Sequence, residues 1–251
     1  MSYCLAISVN EGLVFCSDSR TMQGVDRIST YSKMFRFGRD GQRQFVILAA
    51  GNLATAQATI TRVRLDIRDA APTNLLNVPT VQQAADYLGE LSRAEQLRHG
   101  EKKGMDASFI IGGQIAGSEH ELALVYPQGN HITTSSDTLF LQVGESKYGK
   151  PILDRILTPE TSLDTCALCS LISMDSTMRS NLMVGPPVEL QVYRSDSLVL
   201  NGYQKLEADS QFLRDIGRAW DERLKAAFHL MPSLTWADST DSPIIDKSRI
   251  I

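Results

Sequence analysis

The chain has 251 residues, 43% of them hydrophobic and 22% charged, with a formal net charge of −4 at pH 7. That length and balance suit a globular protein with a sizeable core, and no basic excess or Lys/Arg block points to nucleic acid or a membrane surface. No apolar run reaches bilayer length, and no basic stretch precedes an apolar one at Met1-Ser2-Tyr3-Cys4, so we expect no signal peptide and a cytoplasmic location. Four cysteines, Cys4, Cys16, Cys166 and Cys169, sit in apolar stretches and are too few for a disulfide framework.

The first fifty residues read as strands. Tyr3–Val9 and Leu13–Cys16 are apolar runs around Asn10-Glu11-Gly12, a hairpin turn by composition. A short strand is expected from Lys33 to Phe37, and another from Gln44 to Ala50, stopped by Gly51. The period then changes. Leu53, Ala56, Ile60, Val63 and Ile67 share one helical face, and after Pro72 and Pro79 a second helix follows Thr80 as N-cap, with Val81, Ala84, Ala85, Leu88 and Leu91 in phase. Short strands return at 107–111, 120–126 and 139–143. Helices are expected at about 146–157 and 163–174, a hairpin from 188–193 and 198–200, and a last helix over about 206–228. Antiparallel strands segregated from helices argue for an α+β layered domain, two sheets covered by helices. We expect one domain over residues 1–230. The tail, 231–251, ends in Ile250-Ile251 and is either a frayed terminus or an arm that docks on a neighbour.

Ser2 is the first residue with chemical interest. Removal of Met1 would leave a serine whose own α-amine, with a pKa of about 7.7–8.0, can serve as base for its hydroxyl. A Met-Ser start is common, however, and means little alone. Asp18 ends an apolar strand that a hairpin can bring back near Ser2, and Lys33 opens the next strand. An ammonium there would lower the pKa of the α-amine and favour an alkoxide, with the carboxylate holding the lysine; an ordinary surface pair would read the same way. Gly51 lies between a strand and a helix, where its N–H can meet an oxyanion near the positive end of the helix dipole. It equally suits a plain strand-to-helix corner. Cys166-Ala167-Leu168-Cys169 reads as two buried helical cysteines rather than a metal or redox pair. Gly112-Gly113 lacks the residues of a phosphate loop, and the four histidines make no ligand spacing.

Ser2-Tyr3-Cys4, Gly12 to Arg20, Lys33-Met34-Phe35, Ala49-Ala50-Gly51-Asn52, the segment Gly144 to Arg155 and Asp175 to Asn181 together resemble a proteasome β-type subunit. The resemblance is closer to the bacterial proteasome-related Anbu (ancestral β-subunit) family and covers nearly the whole chain. It implies the four-layer αββα sandwich of N-terminal-nucleophile hydrolases. It further implies Ser2 as nucleophile, Asp18 and Lys33 as its acid and lysine, the Gly51 amide as oxyanion donor, and Ala49 lining the pocket for the residue before the cleaved bond. The small Ala49 leaves room there for a large apolar group. The chain departs from the proteasome pattern in having Ser for Thr, which loses the methyl that restricts χ1, and Gly144-Glu145-Ser146 for Gly-Ser-Gly. Whether Glu145 or Ser146 approaches the α-amine stays open. So does the late acidic position: Asp175 fits by type, while alignment of the following strand puts Asn181 there.

The expected function is therefore a proteasome-type peptidase or amide hydrolase with an N-terminal serine, needing no metal or organic cofactor. The resemblance implies self-assembly into a ring or helical turn, acts on peptide or protein, and leaves an ATP-dependent unfoldase partner open. Two rivals remain: a small-molecule amidohydrolase on the same fold, and a non-catalytic scaffold subunit that retains Met1.

Overall fold

The computed structural model describes residues 2–23, 27–98 and 104–232. The first hairpin forms as its pattern requires, β1 (Tyr3–Val9) turning back into β2 (Gly12–Asp18) with Val9 opposite Gly12. Gly12 sits at φ +142°, and a Cβ there would come within 2.1 Å of the Tyr193 carbonyl oxygen. A small hairpin, β3 (Arg20–Gln23) and β4 (Arg27–Thr30), precedes β5 (Met34–Arg39) and β6 (Arg43–Gly51). Two helices follow, α1 (Leu53–Arg68) and α2 (Val81–Leu97). Their N-termini are capped by the side chains of Asn52 and Thr80, which accept from the N–H three residues on. After β7 (Ala107–Ile115), β8 (Glu121–Val125), β9 (His131–Thr133) and β10 (Phe140–Gly144) come α3 (Lys150–Ile156) and α4 (Leu163–Ser180), then β11 (Val188–Arg194), β12 (Gly202–Leu206) and α5 (Gln211–His229).

Two five-stranded antiparallel sheets result, in the orders β10-β1-β2-β11-β12 and β5-β6-β7-β8-β9. They stack face to face with helices outside both. The period-2 alternation of each central strand divides its side chains between two cores. Tyr3, Leu5, Ile7 and Val9 pack with α3 and α4 residues such as Leu153, Cys166 and Met174. Cys4 and Ala6, on the other face, meet Val46, Leu48 and Ile110 of the opposing sheet. Phe45, Ile47 and Ala49 turn instead toward α1 and α2. Burial on both faces explains why these strands read as continuous apolar runs. Three cores between four layers make the αββα sandwich.

The differences from expectation lie at weakly patterned edges. The β3–β4 hairpin and β9 lack apolar alternation. The strand expected at 198–200 lies at Gly202–Leu206, and α5 starts at Gln211, capped by Ser210, rather than near 206. α3 begins at Lys150, with Pro151 in its first turn, where a missing N–H costs nothing. The expected tail, apart from its first two residues, lies outside the described residues. Among the described residues no helix is long and apolar enough to cross a membrane.

Candidate active site

Asp18 closes β2 fully buried, where an isolated carboxylate would be costly. It is completely engaged. Its Oδ1 accepts from the Lys33 ammonium at 2.6 Å and from the Tyr3 N–H at 2.9 Å; its Oδ2 accepts from the Gly185 N–H at 3.3 Å. Burial pushes the Asp18 carboxyl above its ordinary range, while Lys33 and the two backbone donors pull it back. Lys33, immediately before β5 and 5% exposed, also donates to the Arg20 carbonyl at 2.7 Å. Its ammonium is thereby aimed by two acceptors from the stretch linking β2 to β3.

The same carboxylate fixes the chain directly after Ser2, through the Tyr3 N–H. On the other side the Ser2 carbonyl accepts from the Glu145 N–H at 2.8 Å. Gly144 makes this approach possible. It has φ +86°, and a Cβ on it would lie 1.9 Å from the Ser2 carbonyl oxygen. Ser2 is thus held between β2 and the end of β10.

Gly51 ends β6 at φ +105°, pressed against the Asp106 carbonyl, which a Cβ would meet at 2.4 Å. The Ala49 N–H donates to the Lys33 carbonyl at 2.9 Å, and the Asn52 N–H donates the other way, to Asp106. Strand alternation then turns the Gly51 N–H to the same side as that of Ala49, beyond Met34, the first residue of β5. Ser2, Lys33, Ala49 and Gly51 all line one cavity of ≈ 320 Å³, with Phe35 and Leu53 on its apolar wall.

The remaining candidates separate. Asn181, the C-cap of α4, donates from Nδ2 to Glu145 Oε2 at 2.8 Å, so these two meet each other beside the Ser2 carbonyl. The Ser146 N–H donates to the Gly144 carbonyl, and its own carbonyl accepts from Lys150. Asp175 faces elsewhere. It pairs with Arg179 at 2.9 Å, and Arg179 in turn reaches Asp221 of α5. Cys166 and Cys169 pack in the core beneath α4, where burial pushes their thiols up to about 12 and about 11. Among the described residues no group of three or more His, Cys, Asp or Glu side chains could hold a metal ion. Sequence reasoning missed the Tyr3 and Gly185 amides and the Arg20 carbonyl. Backbone groups carry no side-chain signal.

No family model and no curated protein matches the sequence, but solved structures do. Anbu (ancestral β-subunit) from Yersinia bercovieri is 42% identical with a TM-score of 0.90, over 94% of this chain and 99% of that one. This chain belongs to the Anbu family. A helical assembly of the Anbu complex from Pseudomonas aeruginosa matches at 45% identity and TM-score 0.88, over 93% of this chain and 98% of that one. The Gly-1 mutant of Anbu from Hyphomicrobium sp. strain MC1 matches at 38% identity and TM-score 0.90, over 94% and 100%. The four layers described above are therefore the Anbu fold, related to that of N-terminal-nucleophile hydrolases and proteasome subunits.

Proposed function

We propose that this Anbu chain is an amide hydrolase acting on peptides, with Ser2 as nucleophile once Met1 is removed. The observation that carries this reading is the convergence of Ser2, Lys33 and Gly51 on one cavity, with Asp18 pinned beneath Lys33. The Ser2 hydroxyl adds to the scissile carbonyl carbon. The α-amine of the same residue takes the hydroxyl proton, directly or through water, and passes it to the leaving nitrogen as the C–N bond breaks. Lys33 favours the neutral amine and the forming alkoxide; Asp18 holds Lys33 in place. The Gly51 N–H stabilises the tetrahedral oxyanion. Water then attacks the acyl-serine, returning the hydroxyl and releasing the acid. Ala49, with no side chain beyond Cβ, leaves the cavity open to the residue before the cleaved bond. Glu145 and Asn181 hold the chain around Ser2 and are the remaining candidates for the proton path.

The chain works within an assembly of its own copies. The helical complex of its Pseudomonas aeruginosa relative supports this. So does the outer half of α5, which leaves Leu224 and Phe228 exposed with no covering element among the described residues. Sedimentation velocity should show assemblies rather than monomer.

The decisive experiment is intact mass before and after treatment with a β-lactone or epoxyketone probe. Loss of Met1 and one adduct mapped to Ser2 is the expected result, and Ser2→Ala should abolish both adduct and turnover, a loss on the order of 10⁴-fold or more. Retained Met1 with no adduct would replace the hydrolase by a non-catalytic assembly subunit.

A further inference from the structure

The cavity beside Ser2 is bordered by a second cationic residue that the hydrolytic scheme leaves unused. Arg20 opens β3, two residues after Asp18, and lines the same cavity as Ser2 and Lys33. Its guanidinium lies flat on Gly185. A Cβ at that glycine would come within 2.2 Å of Arg20 Cζ and 2.4 Å of Nε, so only glycine allows the stacking. One N–H of the group donates to the Leu182 carbonyl at 2.8 Å. A guanidinium has five N–H donors, and no Asp or Glu pairs with Arg20 among the described residues. The charge of Lys33, by contrast, is matched by Asp18 at 2.6 Å. None of the described residues lining the cavity is an Asp or Glu. Arg20 is thus the cationic residue of the lining without a carboxylate partner among the described residues.

We propose that Arg20 receives a carboxylate of the substrate next to the scissile bond, so that this site prefers anionic peptides or acyl amides and rejects basic ones. The inference rests on the reading of Ser2 as nucleophile. A planar fork with free donors matches a carboxylate in a two-point contact. Stacking on Gly185 and the bond to Leu182 hold the fork in place before substrate arrives, which lowers the entropy cost of binding. A freely solvated surface arginine would have neither restraint. The coupling to catalysis is short, because the Gly185 that carries the guanidinium also donates its N–H to Asp18.

The test uses the assembled, Met1-free protein and two matched series of fluorogenic amides. One series places Glu, Gln, Leu or Arg before the scissile bond; the other places a carboxylate or its amide on the leaving group. In one of the two series the carboxylate should exceed its neutral amide roughly ten- to a hundredfold in kcat/KM, the scale of a hydrogen bond to a charged partner. The gain should lie mainly in KM, with Arg the poorest substrate. In Arg20→Gln the ratio of acidic to neutral substrate should collapse to about one, and Arg20→Lys should restore part of it. Equal rates for carboxylate and amide in both series would overturn the proposal. So would Arg20→Gln lowering all rates together at constant ratio, since that marks a structural role. In Ser2→Ala, titration of the Glu peptide against its Gln counterpart reads the same preference as binding. Preference there without any Ser2 adduct in the parent protein would sink the nucleophile and spare the carboxylate site. An adduct without preference would do the reverse.

Discussion

The two ends of the sandwich are closed by different chemistry, though β1 runs from one to the other. At the far end the His120 ring bridges the Val9 carbonyl (3.0 Å from Nε2) and the Ser195 hydroxyl (3.2 Å from Nδ1). Gln114 donates to the Asp196 carboxylate and the Ser118 carbonyl, and accepts from the Tyr193 hydroxyl and the Asp196 N–H. Both amide hydrogens and both lone pairs are used, and the carboxylate that Gln114 binds, Asp196, is exposed. The cleft there is wide, ≈ 720 Å³, yet among the described residues no buried ion pair lines it. At the Ser2 end the smaller cavity sits over a fully buried carboxylate and a nearly buried ammonium. A clamp whose one charged partner is exposed is enough to hold the strands. A buried ion pair is often no better for stability than apolar packing, so its presence beside Ser2 points to chemistry rather than to folding alone.

That division can be broken experimentally. Lys33→Ala leaves Asp18 buried without its cation and should cost about 3–5 kcal/mol in urea unfolding, while removing probe labelling of Ser2. Gln114→Ala at the other end should cost only about 1–3 kcal/mol and leave labelling intact. Equal loss of labelling in both variants would erase the distinction. Gly51→Ala forces a Cβ against Asp106 and should cost about 1–3 kcal/mol and slow labelling. Gly117→Ala, in the β7–β8 turn with φ +82° and open space around the new Cβ, should cost less and leave labelling unchanged.

A pH titration of stability sharpens the comparison further. Because burial raises the Asp18 pKa from 3.8, the folded protein keeps this proton to higher pH than the unfolded chain does. The Asp18 contribution to unfolding free energy should therefore be largest below pH 3.8, fall as pH rises through the raised folded value, and stay constant above it. Asp18→Asn should remove that slope, and Asp196→Asn, at the exposed carboxylate, should not. The smallest effect concerns the thiols. All four cysteines are buried, and burial raises the pKa of each. Native protein at pH 8 should react negligibly with a thiol reagent, and the unfolded chain should react at all four.

Much of this was legible in the sequence because the informative residues sit at ends of strongly patterned elements. Asp18 ends a seven-residue buried strand, Lys33 precedes another strand, and Gly51 stands where the period changes from strand to helix. The β3–β4 hairpin was not legible, since Arg20-Thr21-Met22-Gln23 and Arg27-Ile28-Ser29-Thr30 carry no apolar alternation. Arg20 escaped notice for the same reason. Its setting depends on Gly185 and Leu182, more than 160 residues away. Asp175 and Asn181 show the limit of residue type as a guide. The acid lies against α5, and the amide lies beside Glu145, because six residues along a helix and its cap change the face presented.

The sequence by itself determined the layered class, the hairpin that starts the chain, the helices α1 and α2 with the Thr80 cap of the second, and which residues carry the functional groups that the proposed chemistry would use. Those are consequences of local periodicity and of functional groups that keep their chemistry anywhere. Only the tertiary structure decided which backbone amides hold Asp18, which side of β6 the Gly51 N–H faces, and that Arg20 shares a cavity with Ser2. These depend on the register between strands distant in the chain and on close approaches at Gly144 and Gly185, where any side chain would collide with its neighbour.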